Sequence, residues 1–300
     1  MGVPHFGVSF SLHRCNELGL NGKTLLEAGL KELSFRRFRL MSYWDIHEPK
    51  AGAYNFHDLD WQMDLVNKYG GEVSLALGVR QPRWPEWHMP QWATSLPATE
   101  WYEALYRYIE KVVARYRQHP ALASWQLENE ALLKEFGKAT DFNRHRLIYE
   151  RDLVKRLDPY HPLIMTLSDS WGIPWRGPRP DLYGMSLYRA TINKNGQLRH
   201  SRRPAIFYRS RRAMVRLYTG RDIFIHELQA EPWLAKGVKQ TPLEEQLSRM
   251  NPRILHANVL FAQKTGAHPI DLWGLEWWYW LLTQQNHSEM WQAVKALHTI

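Results

Sequence analysis

A chain of 300 residues, 44% hydrophobic and 23% charged, is no disordered segment and has apolar material for one large core. Thirty-nine Lys and Arg against 30 Asp and Glu give a formal net charge of +9, which directs attention to nucleic acid, an anionic cell-envelope surface or an acidic polymer. Cys15 is the single cysteine, so an internal disulfide is excluded, and no apolar stretch approaches the roughly 20 residues of a bilayer span.

The first apolar run, Pro4 to Ser9, suits a strand and follows Met1 with no charged-then-apolar leader. As given the chain reads as soluble; its native location is unknown, and an extracytoplasmic or anchored form would require a leader outside this sequence. Further runs follow at Phe35 to Met41, Val73 to Gly78, Ala121 to Glu128, Leu163 to Leu167, Leu182 to Leu187, Ile223 to Glu227 and Ile270 to Gly274. Each is short, apolar and bounded by turn residues, as expected of parallel strands buried on both faces. Helical spacing is legible between them. Asp58 to Tyr69 buries Leu59, Met63 and Val66, with Asp58 as N-cap and Gly70 as the stop. Leu105, Tyr108, Ile109, Val112 and Tyr116 form one buried stripe opposite Glu103, Arg107, Lys111 and Arg115. A third helix is expected over Thr140 to Leu157. The Arg-rich stretch from Arg202 to Arg221 reads as a solvated outer helix face, with no nucleic-acid motif beside it.

Eight strands alternating with helices, without a linker or composition break, predict an α/β fold: a single (β/α)8 TIM barrel over residues 1–300. Its irregularity is the crossover between strands five and six, shortened to the Pro- and Gly-rich Ser168 to Asp181. An open doubly wound sheet is the alternative, but no Gly-rich phosphate turn follows the first strand.

A barrel carries its site at the C-terminal strand ends. There the sequence places Ser9; Arg39, Tyr43 and Trp44; Arg80, with Trp84, Glu86 and Trp87 in its loop; Glu128, Asn129 and Glu130; Asp169 and Trp171; Tyr188; Glu227, Gln229 and Glu231; and Trp273, Glu276, Trp277 and Trp278. Glu130 and Glu227 can face each other across the axis, and two carboxyls flanking one bond are what glycoside hydrolysis needs. Loop tryptophans offer flat apolar faces to sugar rings. Other chemistries lack their parts. His226-Glu227 begins like a zinc-protease motif, but Ala230 takes the second histidine's place; no Lys falls at a strand end for a Schiff base; no Gly-x-Ser-x-Gly elbow occurs.

Along nearly its whole length the sequence resembles the clan A glycoside hydrolases. In SWQLENE, Asn129-Glu130 looks like the clan's Asn-Glu pair, and in IFIHELQAEPW, Glu227 ends an apolar strand as the nucleophile does. YWDIHEPKAGAYNFHDLDWQMDLVNKYGGEVSLALG looks like the second strand, loop and helix of family 42 and family 5 enzymes, and RQPRWPEWHMPQW is similar to the strand-three loop of family 42. Ser186 and Arg80 stand where family 5 usually has histidines, so the resemblance extends to the clan and leaves the family open.

The resemblance implies a retaining, double-displacement β-glycosidase for a β-glucan, β-mannan or β-galactoside type of oligo- or polysaccharide. Glu227 is its nucleophile and Glu130 its acid/base. Arg39 would keep Glu227 ionised, Tyr188 would orient it, Asn129 would reach the sugar 2-hydroxyl, and Trp273 or Trp277 would lie under the sugar. Trp44, Arg80, Trp84 and Gln229 complete the expected binding or supporting set. No metal, cofactor or nucleic acid is expected. The expected partners are a carbohydrate substrate and an anionic envelope surface, and the expected state is a monomer. A barrel that binds an acidic polysaccharide without cleaving it is the alternative.

Overall fold

The computed structural model describes residues 6–131, 133–134, 137–169, 172–174, 177–193 and 196–297. Eight parallel strands close into a barrel in chain order: β1 (Phe6–Ser9), β2 (Arg37–Met41), β3 (Glu72–Leu77), β4 (Leu122–Leu127), β5 (Leu163–Leu167), β6 (Leu182–Leu187), β7 (Ile223–Gln229) and β8 (Ile270–Trp273). Closure is made where β1 pairs with β8, with Phe6 opposite Ile270. Nearly every strand residue is buried, because the interior takes one face and the helical ring the other.

All eight expected strands are present, with the residues before Phe6 lying outside the described part. The main difference is β7, which runs two residues past Glu227, so that this glutamate sits within a strand. The Leu105–Tyr116 stripe belongs to the helix Ala98–Tyr116, its apolar residues buried and its charged ones exposed. The second helix is His57–Lys68; Phe56 occupies the N-cap, and Asp58 falls in the first turn, where the helix dipole favours a carboxylate. The third starts at Arg144 because Asn143 caps it, its side chain accepting from the backbone N–H of His145 and Arg146. Between β5 and β6 the described residues contain no helix. After β6 comes an antiparallel hairpin, Ala190–Ile192 with Leu198–His200, which the apolar pattern did not signal.

The barrel interior also carries charge. Arg37 Nε donates to Asp271 Oδ1 at 2.8 Å, and His226 Nδ1 lies 2.5 Å from Asp271 Oδ2. Burial opposes the Asp271 charge, but Arg37 and His226 outweigh it and hold the carboxyl down at about 2. Burial holds His226 down at about 4. Gly7 is required beside them, since a Cβ there would lie 2.1 Å from Asp271 Oδ1. Removing the carboxylate strands the Arg37 charge and leaves the neutral His226 ring without its acceptor, so Asp271→Ala is predicted to cost about 3–5 kcal/mol at neutral pH. Asp271 has its folded pKa depressed, so the stability it confers is present above about 4 and lost as pH falls through about 2. Urea unfolding of both proteins across that range should show the deficit closing at the acid end.

Candidate active site

The β4 end makes an abrupt turn in which Glu128 and Glu130 both take left-handed backbone, at φ 50° and 42°. Such conformations cost non-glycine residues on the order of 1–3 kcal/mol and persist where surroundings impose them. Here hydrogen bonds do so. Glu128 is buried and accepts from the backbone N–H of Val79 at 3.1 Å and Arg80 at 2.6 Å, and from Arg146 Nη1 at 2.7 Å. It is a brace. Gly78 makes room for it: a Cβ there would lie 2.6 Å from Glu128 Oε1. One residue on, Asn129 Oδ1 accepts from Thr166 Oγ1 at 3.2 Å, and Glu130 N donates to that same threonine oxygen at 2.7 Å. These bonds fix the backbone from which Glu130 reaches into the barrel mouth.

Glu227 arrives from β7. A register irregularity between β6 and β7, in which the step from Met185 to Ser186 spans Ile225 to Glu227, pairs Ser186 with Glu227 on the neighbouring strand. Tyr188 donates its hydroxyl to Glu227 Oε1 at 2.6 Å, and Arg39 Nη2 donates to Oε2 at 3.2 Å. Arg39 is itself fixed by Ser9 Oγ at 2.9 Å and Gln126 Oε1 at 3.4 Å. Ser186 Oγ stands 2.5 Å from Glu130 Oε1 and 3.5 Å from Glu227 Oε2, so one hydroxyl touches both carboxyls. Burial first, and then the charge of Glu227, push Glu130 up to about 7; the Ser186 bond and Arg80 act the other way. Burial and the Glu227 charge raise Tyr188 well above its usual range, so it remains a donor.

The mouth holds a third carboxyl. Glu86, on the β3 loop with φ 61°, is buried against Arg80, whose Nη2 and Nε lie 3.1 and 3.3 Å from its Oε2, with Asn129 Nδ2 donating to its Oε1 at 3.5 Å. Burial, then Glu130, push Glu86 up to about 8 against the pull of Arg80. Arg83, on the same loop with φ 86°, crosses the mouth to Glu231 and Glu276 and lays its guanidinium 4.0 Å from the centroid of the Trp273 ring. Neither residue stood out in the sequence beyond its place in a strand-end loop, and Ser186 was visible only as a departure from family 5.

Among the expected site residues, Glu130, Glu227, Arg39, Tyr188, Asn129 and Arg80 converge. Four others serve differently. Trp44 is fully buried, bonded to Glu48 and packed on Tyr108 and Trp92, and Trp277 is fully buried and bonded to Gln246. Neither can meet a sugar in this arrangement. Gln229 is occupied by the backbone of Arg189 and Ala190, pinning the loop after β6. Trp273 is near the site, but its ring is taken up by Arg83 and, at 5.1 Å, by Arg39. Trp84 is 54% exposed at the rim, while Trp171 lies outside the described residues. Most of the tryptophans build core, as large apolar side chains usually do. No group of three His, Cys, Asp or Glu among the described residues is placed to hold a metal ion.

No family model matches the chain. Over 171 residues it is 36% identical to mannan endo-1,4-beta-mannosidase A of Podospora anserina, covering 55% of this chain and 36% of that protein. Over 146 residues it is 34% identical to a beta-galactosidase of Arthrobacter sp, covering 42% of this chain and 20% of that one. The probable mannan endo-1,4-beta-mannosidase F of Neosartorya fischeri is 28% identical over 144 residues, 44% of this chain and 31% of its own length. The chain thus spans about a third or less of these curated relatives. Among solved structures, a GH5_18 protein from Streptomyces cattleya in complex with GlcNAc aligns over 99% of this chain and 79% of its own, with a TM-score of 0.67 at 15% identity. The exo-beta-1,4-mannosidase Op5Man5 from an Opitutaceae bacterium aligns over 90% and 51%, with a TM-score of 0.63 at 14% identity. The curated relatives are named as mannanases and beta-galactosidases, in keeping with the resemblance to clan A glycoside hydrolases read from the sequence, and the solved structures share the fold. The fold is their TIM barrel.

Because the Glu227 charge supports the raised pKa of Glu130, Glu227→Gln should move the Glu130 titration below about 7. Carboxyl NMR of the variant would measure it, and an unmoved value would assign the whole shift to burial.

Proposed function

We propose that this chain is a retaining β-glycosidase acting on a β-mannan, β-galactoside or β-glucan type of substrate, with Glu227 as nucleophile and Glu130 as acid/base. The observation that carries this is the shared Ser186 hydroxyl. The nearest oxygens of the two carboxyls can be no further apart than their distances to Ser186 laid end to end, about 6 Å. That bound brings both groups within reach of one bound sugar and is compatible with the about 5–5.5 Å of retaining enzymes, while the choice of retention over inversion rests on the resemblance to clan A. The sequence relatives named as mannanases and β-galactosidases support β-linked substrates.

Each group then has a task. Glu227, bonded to Arg39 and Tyr188, attacks the anomeric carbon, and Glu130 gives its proton to the leaving oxygen. With the leaving group gone, Glu130 is a carboxylate and takes a proton from the water that opens the glycosyl-enzyme ester. A pKa about 7 suits both steps, since the group must be acid in one and base in the next. Asn129 stands beside Glu130 with its amide toward the Glu86 carboxyl, where it can turn to a sugar hydroxyl. Arg83 and Glu231 form a polar wall on the Trp273 side.

Glu227→Gln should abolish release of reducing sugar from mannan, galactan or β-glucan oligosaccharides. Glu130→Gln should slow an unactivated substrate by about 10²–10⁴-fold while sparing kcat/KM for an aryl glycoside whose leaving group needs no proton; kcat for that glycoside should still fall, because the glycosyl-enzyme then lacks its base and accumulates. Near wild-type turnover of natural glycan by either variant would overturn the assignment. The kcat/KM profile should fall on its alkaline side around pH 7, as Glu130 loses the proton that the first step requires.

A further inference from the structure

Positive charge is concentrated on one sector of the outer ring. The helices Ala205–Thr219 and Pro252–Thr265, which pack side by side after β6 and β7, contain not one carboxylate. Two of their arginines are used internally: Arg211 donates to the carbonyls of Ser168 and Gly172, and Arg212 forks onto Asp222. The remainder face water. Arg209, Arg253 and Lys264 are exposed and make no ion pair among the described residues, and Arg216 lies 3.8 Å from Asp222. Arg209, Arg212, Arg216 and Lys264 border a groove of about 630 Å³ between the two helices.

Apolar side chains share this sector. Of nine exposed large hydrophobic residues among those described, four lie on these two helices: Ile206 at 60%, Leu217 at 79%, Tyr218 at 47% and Leu260 at 44%. On the first helix, Ile206, Arg209, Ala213, Arg216 and Leu217 recur at helical spacing along one stripe. Cations alone would suit any polyanion, but a nucleic acid or an acidic polysaccharide would leave Leu217 and Ile206 in water. An anionic bilayer satisfies both sets, phosphates meeting the cations while the apolar side chains enter the interface. The helices lie outside the barrel, and Glu130 and Glu227 are in its mouth, so a docked molecule keeps its site open.

We propose that the outer face of these two helices docks the protein onto an anionic lipid surface, with Arg209, Arg216 and Lys264 on headgroup phosphates and Ile206 and Leu217 in the interfacial layer. The full chain should sediment with vesicles of phosphatidylcholine and phosphatidylglycerol, stay in solution with phosphatidylcholine alone, and release as salt is raised. Each basic residue near such a surface is worth roughly a fivefold factor, so Arg209→Gln with Arg216→Gln should weaken partitioning on the order of 30-fold. The corresponding pair of lysine substitutions should bind nearly as the wild type does, which separates charge from folding. Leu217→Ser should reduce the binding that survives at moderate salt. Equal binding to neutral vesicles, no effect of the double glutamine variant, or tighter binding to duplex DNA or an anionic polysaccharide at the same salt would overturn the proposal. None of these readouts involves hydrolysis, so failure here and failure of the glycosidase reading are separate results.

Discussion

Ser186 stands between the carboxyls of Glu130 and Glu227, in hydrogen-bond reach of both, and that crowding governs the rest of the barrel mouth. Two carboxylates about 5 Å apart repel by on the order of 3 kcal/mol at an effective dielectric near 20, so one of them retains a proton near neutrality unless cations intervene. The protein makes the choice by unequal support. Glu227 has a guanidinium and a phenol on its two oxygens, while among the described residues the partner of the half-buried Glu130 carboxyl is a serine hydroxyl. Proton and charge are thereby allotted to opposite sides of one space.

That allotment depends on Arg39 being immobile. Its guanidinium is fully buried and tied to β1 through Ser9 and to β4 through Gln126, so three strands hold the cation that faces Glu227. Arg80, a second cation of the mouth, is engaged by Glu86 and the Leu133 carbonyl. Were it to swing onto Glu130 instead, the acid would lose its proton at neutral pH. Glu86 therefore belongs to the electrostatics of the pair without lying between them. Glycines set the clearances: Gly78 admits Glu128 behind the β4 turn, and Gly7 admits Asp271 deeper in the barrel.

The two ends of the functional picture are physically separate. The mouth is a network of buried charges in which every group answers to several others. The outer helices Ala205–Thr219 and Pro252–Thr265 instead carry exposed cations, of which Arg209, Arg253 and Lys264 make no ion pair among the described residues, next to exposed apolar residues. Charge of the first kind suits the proposed chemistry and charge of the second kind the proposed association. The net charge of +9 is a property of the surface and says nothing about the catalytic chemistry.

What the sequence by itself determined was the barrel and its eight strands, and it named Glu130, just past β4, and Glu227, near the end of β7, as the candidate pair. Short doubly buried strands and one-sided helices leave periodicities that survive without coordinates, and the strand ends then name the mouth. Arg39 and Tyr188 were legible for the same reason. Tertiary structure alone decided the remainder. That Trp44 and Trp277 pack into the core while Trp84 stays at the rim depends on which side of a loop meets the helical ring, and composition cannot distinguish those environments. Glu86 and Arg83 reach the mouth through left-handed backbone on the β3 loop, and Ser186 comes opposite Glu227 through a register shift between β6 and β7. Such local departures leave no periodic trace, and only the closed barrel shows where they deliver their side chains.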